Sequence, residues 1–137
     1  MKFPYKKIAQ KVLRPIIPIT VSYKGASPIK YFALIDSGAD KCYMGAEIAA
    51  VIGIADITTG VKEPTMGVSG MTDAYFHKVK VTIGGWPYEM EVGFMKGSNL
   101  TAHGYGIIGH RPFFELFTVK FDFIKEEIEI KERVAVK

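Results

Sequence analysis

The chain has 137 residues, 48% of them hydrophobic and 23% charged, with a formal net charge of +4. That length predicts one ordinary domain, residues 1–137, able to bury a core unaided, and the single cysteine, Cys42, excludes an internal disulfide. The balance is that of a soluble globular protein, because no apolar run approaches the ~20 residues of a transmembrane helix.

The start, "MKFPYKKIAQKVLRPIIPIT", holds lysines but no apolar stretch long enough for a secretory signal, so with its lone cysteine the chain is expected in the cytoplasm. Lys2, Lys6, Lys7, Lys11 and Arg14 gather positive charge there. Without a nucleic-acid-binding module or interleaved aromatic residues, they read as a solvated basic surface, with neither nucleic acid nor membrane as partner. Next, "IIPITVSY" and "IKYFALI" flank the turn formers of "KGASP" and predict an antiparallel hairpin whose second strand runs into Asp36. "AEIAAVIGI", residues 46–54, predicts a short helix stopped by glycine. "HKVKVTIGGWPYEMEVGFM" alternates on both sides of "GGWP" and is the clearest hairpin. "RPFFELFT" predicts a second short helix with Pro112 in its first turn. At the end Val119, Phe121 and Phe123 alternate, "KEE" turns, and Ile128 and Ile130 alternate again. The fold class is mainly β.

Chemistry concentrates at "FALIDSGAD", residues 32–40. Asp-Ser-Gly alone is an ordinary polar turn, since these side chains bond their own backbone. Here an apolar strand, Phe32 to Ile35, feeds it, so Asp36 is expected to enter the interior side of the turn. A carboxylate there must be neutralised or partnered, and a second carboxylate sharing its proton is one solution.

"ALIDSGAD" resembles the hydrophobic–Asp-Ser/Thr-Gly-Ala signature of retropepsin-like aspartic proteases, the retroviral branch of the pepsin fold. Two further stretches agree in order and spacing. "PTMGVSGMT", residues 64–72, resembles the glycine-rich flap of that family, and "YGIIGH", residues 105–110, resembles the two hydrophobics plus glycine that pack beside its catalytic loop. The resemblance covers most of the chain, from the first hairpin to the last strands. It departs at His110, where retroviral enzymes commonly have arginine, and in overall length, which exceeds the compact retroviral proteases.

The resemblance implies a closed retropepsin-like β-barrel with a flap hairpin and one or two short helices. It also implies an aspartic endopeptidase acting on peptides or proteins without metal or other cofactor. Because the chain carries one Asp-Ser/Thr-Gly and the mechanism needs two aspartates, a homodimer must bring two copies of Asp36 together. Asp36, Ser37 and Gly38 would form the catalytic loop, with Ser37 locking the two loops across the axis. Asp40 would bind substrate backbone, or pair with His110 or Arg111. Met66, Gly67, Val68, Ser69 and Gly70 would form the substrate-facing flap, and Ile108, Gly109 and His110 would support the site. Apolar Ile54, Met66, Val68 and Ile107 suggest hydrophobic subsites.

Each assignment has a plainer reading beside it. Asp40 could cap a local turn, "MGVSGM" could be a surface hairpin, and "GIIG" an ordinary buried strand. His77, His103, His110 and Cys42 lack the paired spacing of a zinc site, "GVSG" lacks the Lys-Ser/Thr of a phosphate loop, and Ser37 has no general base near it in sequence. A different class of function, a catalytically silent retropepsin-fold module for dimerisation or peptide binding, shares the fold but does not need Asp36 retained.

Overall fold

The computed structural model describes residues 1–67, 70–97 and 104–133. It begins with β1 (Lys2–Pro4) and a small hairpin of β2 (Lys6–Ala9) and β3 (Val12–Arg14). β4 (Ile16–Ser22) and β5 (Ile29–Ile35) then pair antiparallel from Ile16 with Leu34 to Val21 with Ile29, the hairpin expected around "KGASP". β6 (Cys42–Gly45) leads into α1 (Ala46–Ile52), stopped at Gly53, and a 3-10 turn at Ile57–Thr59. β7 (Val61–Gly67), β8 (Gly70–Ile83) and β9 (Trp86–Met95) follow, then β10 (Gly106–Ile108) and α2 (Phe113–Leu116). β11 (Phe117–Asp122) and β12 (Glu127–Glu132) complete the set.

Six strands close a barrel in the order β4-β5-β10-β6-β9-β8, and β8 returns to β4 through Thr20 with Thr82, Val21 with Val81 and Ser22 with Lys80. The barrel is mixed: β10 runs parallel to β5 and β6 parallel to β9, while the hairpin pairs are antiparallel. Closure removes free edges, and period-2 alternation sends one face of each strand inward. Ile17, Val21, Ala33, Met44, Val81, Ile83, Met90, Val92, Phe94 and Ile108 fill the interior, each at most 1% exposed. Burying a large apolar side chain contributes roughly 1.5–3 kcal/mol, so this set dominates the fold's stability. α1 adds Ile48, Ala49 and Ile52 to the same core.

Ile54 also lies in that core, which corrects its expected place at a cleft. The turn after α1 folds it back, its N–H donating to the Ala49 carbonyl at 2.9 Å. The only His described as buried, His77, is satisfied internally: its Nε2 lies 2.7 Å from the Ile57 carbonyl.

A second sheet, β1-β12-β11, joins the two ends of the described chain. Phe3 pairs with Ile128, and the Met1 amino group donates to the Ile130 carbonyl at 2.8 Å. The last turn falls two residues earlier than the sequence suggested. β11 stops at Asp122, whose Oδ1 accepts the Lys125 N–H at 3.0 Å, and Glu126 takes a left-handed φ of 57°. Phe123 therefore leaves the strand and meets the Tyr5 ring edge-on at 5.7 Å.

Candidate active site

β5 dictates which way Asp36 faces. Ala33 and Ile35 point into the core, so period 2 turns Phe32, Leu34 and Asp36 to the opposite face. Asp36 is consequently half-buried, and Ser37 and Gly38 are exposed, which corrects the expectation of an interior aspartate. Its face is the wall of an open groove of about 510 Å³, lined by Tyr5, Arg14, Pro15, Leu34, Ile35, Asp36, Ser37, Tyr105 and Phe121. An acid can stand there without full desolvation, while Leu34, Ile35 and Phe121 beside it supply apolar surface for a ligand.

The Asp36 loop is held by backbone bonds on both sides. Asp36 N–H donates to the Ile108 carbonyl at 3.0 Å, and Ala39 N–H returns to the Asp36 carbonyl at 3.2 Å. The Asp36 carboxylate accepts the Gly38 N–H through Oδ1 at 2.8 Å, which fixes the side chain's rotation and leaves Oδ2 for other partners. β10 supports the loop from beside it, Gly106, Ile107 and Ile108 pairing in parallel with Ala33, Leu34 and Ile35. His110 N–H donates to the Ala39 carbonyl at 2.8 Å and Arg111 N–H to the Asp40 carbonyl at 2.9 Å. Gly109 must be glycine here: a Cβ would lie 2.4 Å from the Ala39 carbonyl oxygen and 2.5 Å from that of Lys41.

His110 crosses to the loop with its side chain as well. Its Nε2 lies 2.6 Å from the Ser37 carbonyl, and because a carbonyl only accepts, Nε2 carries the proton of this bond. The ring also rests against Phe114 at 5.5 Å. Asp40 takes a different arrangement from the pairing considered for it: among the described residues its carboxylate forms no ion pair with His110 or Arg111, and both meet the loop through other atoms.

β7 and β8 form the hairpin expected at residues 64–72, in register from Val61 with Phe76 to Gly67 with Gly70. Met66 and Met71 face each other across it and are 74% and 60% exposed. Val68 and Ser69 lie outside the described residues, as does His103. Among the described residues, no group of three His, Cys, Asp or Glu gathers as a metal site. Cys42 sits under the loop, where burial pushes its thiol up to about 11 although the Gly109 and Phe113 N–H groups favour the thiolate.

Sequence reading found the loop, its support and the hairpin, but missed most of the groove wall. Leu34 and Tyr105 had a signal, one sharing Asp36's face of β5 and the other preceding "GIIG". Tyr5, Arg14 and Phe121 had none, because they arrive from segments near the two ends of the chain.

Neither a protein-family model nor a curated protein sequence matches the chain. Solved structures do. The retroviral protease-like domain of Ddi1 from Leishmania major aligns with a TM-score of 0.62 at 18% identity, over 88% of this chain and 90% of that one. A retropepsin-like aspartic protease from Rickettsia conorii gives 0.63 at 14% identity, over 96% and 98%. The EIAV protease complexed with the inhibitor HBY-793 gives 0.53 at 17%, over 75% and 88%. At these identities the likeness is one of architecture: the chain has the retropepsin-like aspartic protease fold.

Proposed function

We propose that the chain, acting as one domain over residues 1–137, is an aspartic endopeptidase that works as a homodimer. The observation that carries this reading is a single one. Asp36, on a loop clamped by β10 and His110, presents its carboxylate to an open groove of mixed polar and apolar lining in a retropepsin-like fold. One carboxylate cannot serve as base and acid at once, so a two-fold axis beside the loop would supply the second.

In the dimer, one Asp36 carboxylate takes a proton from a water held between the pair, and the water oxygen bonds to the scissile carbonyl carbon. The protonated twin gives its proton to the carbonyl oxygen, producing a neutral tetrahedral diol. Collapse breaks the C–N bond: the dyad returns a proton to the leaving nitrogen and takes one from a diol hydroxyl, restoring the starting state. No metal enters. Ser37 would join the loops across the axis, Gly38 would admit substrate backbone, and Asp40 would accept from it. Met66, Gly67, Val68, Ser69 and Gly70 would cover the peptide, and Ile108, Gly109 and His110 hold the loop in place.

Incubating the purified protein with a mixed peptide pool from acid to neutral pH tests this. Wild type should cut, Asp36→Ala and Asp36→Asn should not, and sedimentation should find the active species dimeric. Equal cutting by wild type and Asp36→Ala would overturn the mechanism, and an active monomer would overturn the shared dyad. A folded dimer that binds peptides and cuts none would support the silent binding module instead.

A further inference from the structure

Lys41 follows the Asp36–Asp40 loop directly, yet its side chain leaves that loop. Its Nζ donates to Glu63 Oε2 on β7 and lies 4.9 Å from the Phe76 ring centroid on β8. Its backbone forms an isolated parallel bridge with Arg111, so the stem of the side chain is anchored on the site's own segment. One ammonium therefore touches both strands of the β7–β8 hairpin, near the level where Val61 faces Phe76 and Glu63 faces Ala74.

Phe76 is itself fixed. It meets Tyr43 of β6 edge-on at 5.9 Å, and a Cβ on Gly93 would come within 2.8 Å of its ring, so Gly93 is the seat that admits it. Ala74, Phe76 and Met95 form a buried cluster separate from the barrel core, with Tyr43 and Ile107 packed against it. Ile107 pairs with Tyr43 on one side and with Leu34 of the groove wall on the other. The hairpin base is thus coupled to the strands that hold the Asp36 loop, and Lys41 closes that contact from the loop side.

Beyond this level, among the described residues, the hairpin has no other strand to lean on. β9 partners of β8 begin at Tyr75, so Glu63–Gly67 and Gly70–Ala74 pair only with each other, a ribbon of roughly 13 Å. A small rotation at the base grows along that length and moves Met66. The side chains of Lys41 and Glu63 are 34% and 40% exposed, so solvent and salt screen their attraction and the contact can release.

We propose that Lys41 is a positioning residue for peptide binding: its ammonium clasps Glu63 and Phe76 and so orients the β7–β8 hairpin relative to Asp36. The link to peptide binding rests on the protease reading above. The clasp itself does not.

Amide hydrogen exchange on the full chain reads the clasp without catalysis. Lys41→Gln, which loses both the ion pair and the contact with the ring, should speed exchange in residues 61–67 and 70–74 by up to about tenfold. Glu63→Gln should give about two- to fivefold, an effect that vanishes in high salt. Lys41→Arg should restore slow exchange, and β4, residues 16–22, should stay unchanged in every variant. With a cleavable peptide, KM should rise by a similar factor while kcat stays within about twofold. Wild-type exchange in Lys41→Gln overturns the clasp, and so does acceleration spread equally into β4, which marks general destabilisation. A fall in kcat at unchanged KM overturns the positioning role. If wild type cuts nothing, the protease reading fails while the exchange data still decide the clasp.

Discussion

β8 behaves as two strands joined end to end. From Tyr75 to Ile83 it pairs with β9, and its far end also meets β4, so Val79, Val81 and Ile83 are sealed inside the barrel. From Gly70 to Ala74 it pairs, among the described residues, with β7 alone, and Met71 and its partner Met66 stand in solvent. The same strand-forming chemistry thus makes a frame at one end and, at the other, a two-stranded ribbon carrying a pair of exposed methionines. Exposed methionines contribute little to stability, so their presence on a two-stranded ribbon points to contact with something else. Stability and function should therefore separate along one strand, and substitutions can show whether they do.

The sharpest separation is expected at Asp36. Asp36→Asn should lower peptide hydrolysis about a thousandfold or more while circular dichroism and Tm stay near wild type. A variant that loses its fold along with its activity would show the carboxylate to be part of the frame. In the barrel the reverse holds: Phe94→Ala should cost about 3–5 kcal/mol in chemical denaturation, because a fully buried ring leaves a cavity the closed barrel cannot collapse.

A smaller effect is expected on the alkaline side. The folded chain raises the Cys42 thiol from 9.0 to about 11, so it holds that proton more tightly than the unfolded chain does. The stability this group contributes is whole below about pH 9 and is lost as pH rises toward 11, on the order of 2 kcal/mol. Tyr31, pushed up to about 12 by burial and by the charge of Glu47, adds a slope above pH 10. Denaturation midpoints followed from pH 8 to 11 should fall less steeply in Cys42→Ala, and identical slopes would contradict the assignment.

The smallest effect on stability belongs to the ribbon. Met66→Ala should change unfolding free energy by less than about 0.5 kcal/mol, as exposed positions do, yet raise KM for peptides several-fold. Unchanged KM would return the ribbon to the status of a surface hairpin.

Much of this division was written locally in the sequence. Period-2 runs and glycine-rich turns marked β4–β5 and β8–β9, and three short motifs marked the Asp36 loop, its support at residues 105–110 and the ribbon. What escaped depends on how distant strands meet. Asp36 was expected inside because its strand is apolar, yet the burial of Ile35 one residue earlier turns Asp36 outward. Ile54 looked available for a cleft until the turn after α1 buried it. Lys41 carried no signal at all, since its two partners are 22 and 35 positions away and meet it only when the barrel closes. The basic start, read as plain surface, supplies β1 to the terminal sheet and Arg14 to the groove.

The central claim is that one site takes Asp36 from two chains. Mixing wild type with Asp36→Asn at constant total protein, after subunits have exchanged, tests it directly. Activity should fall as the square of the wild-type fraction, because only dimers with two Asp36 carboxylates cut. A linear fall would mean that each chain carries a complete site, and would contradict the account.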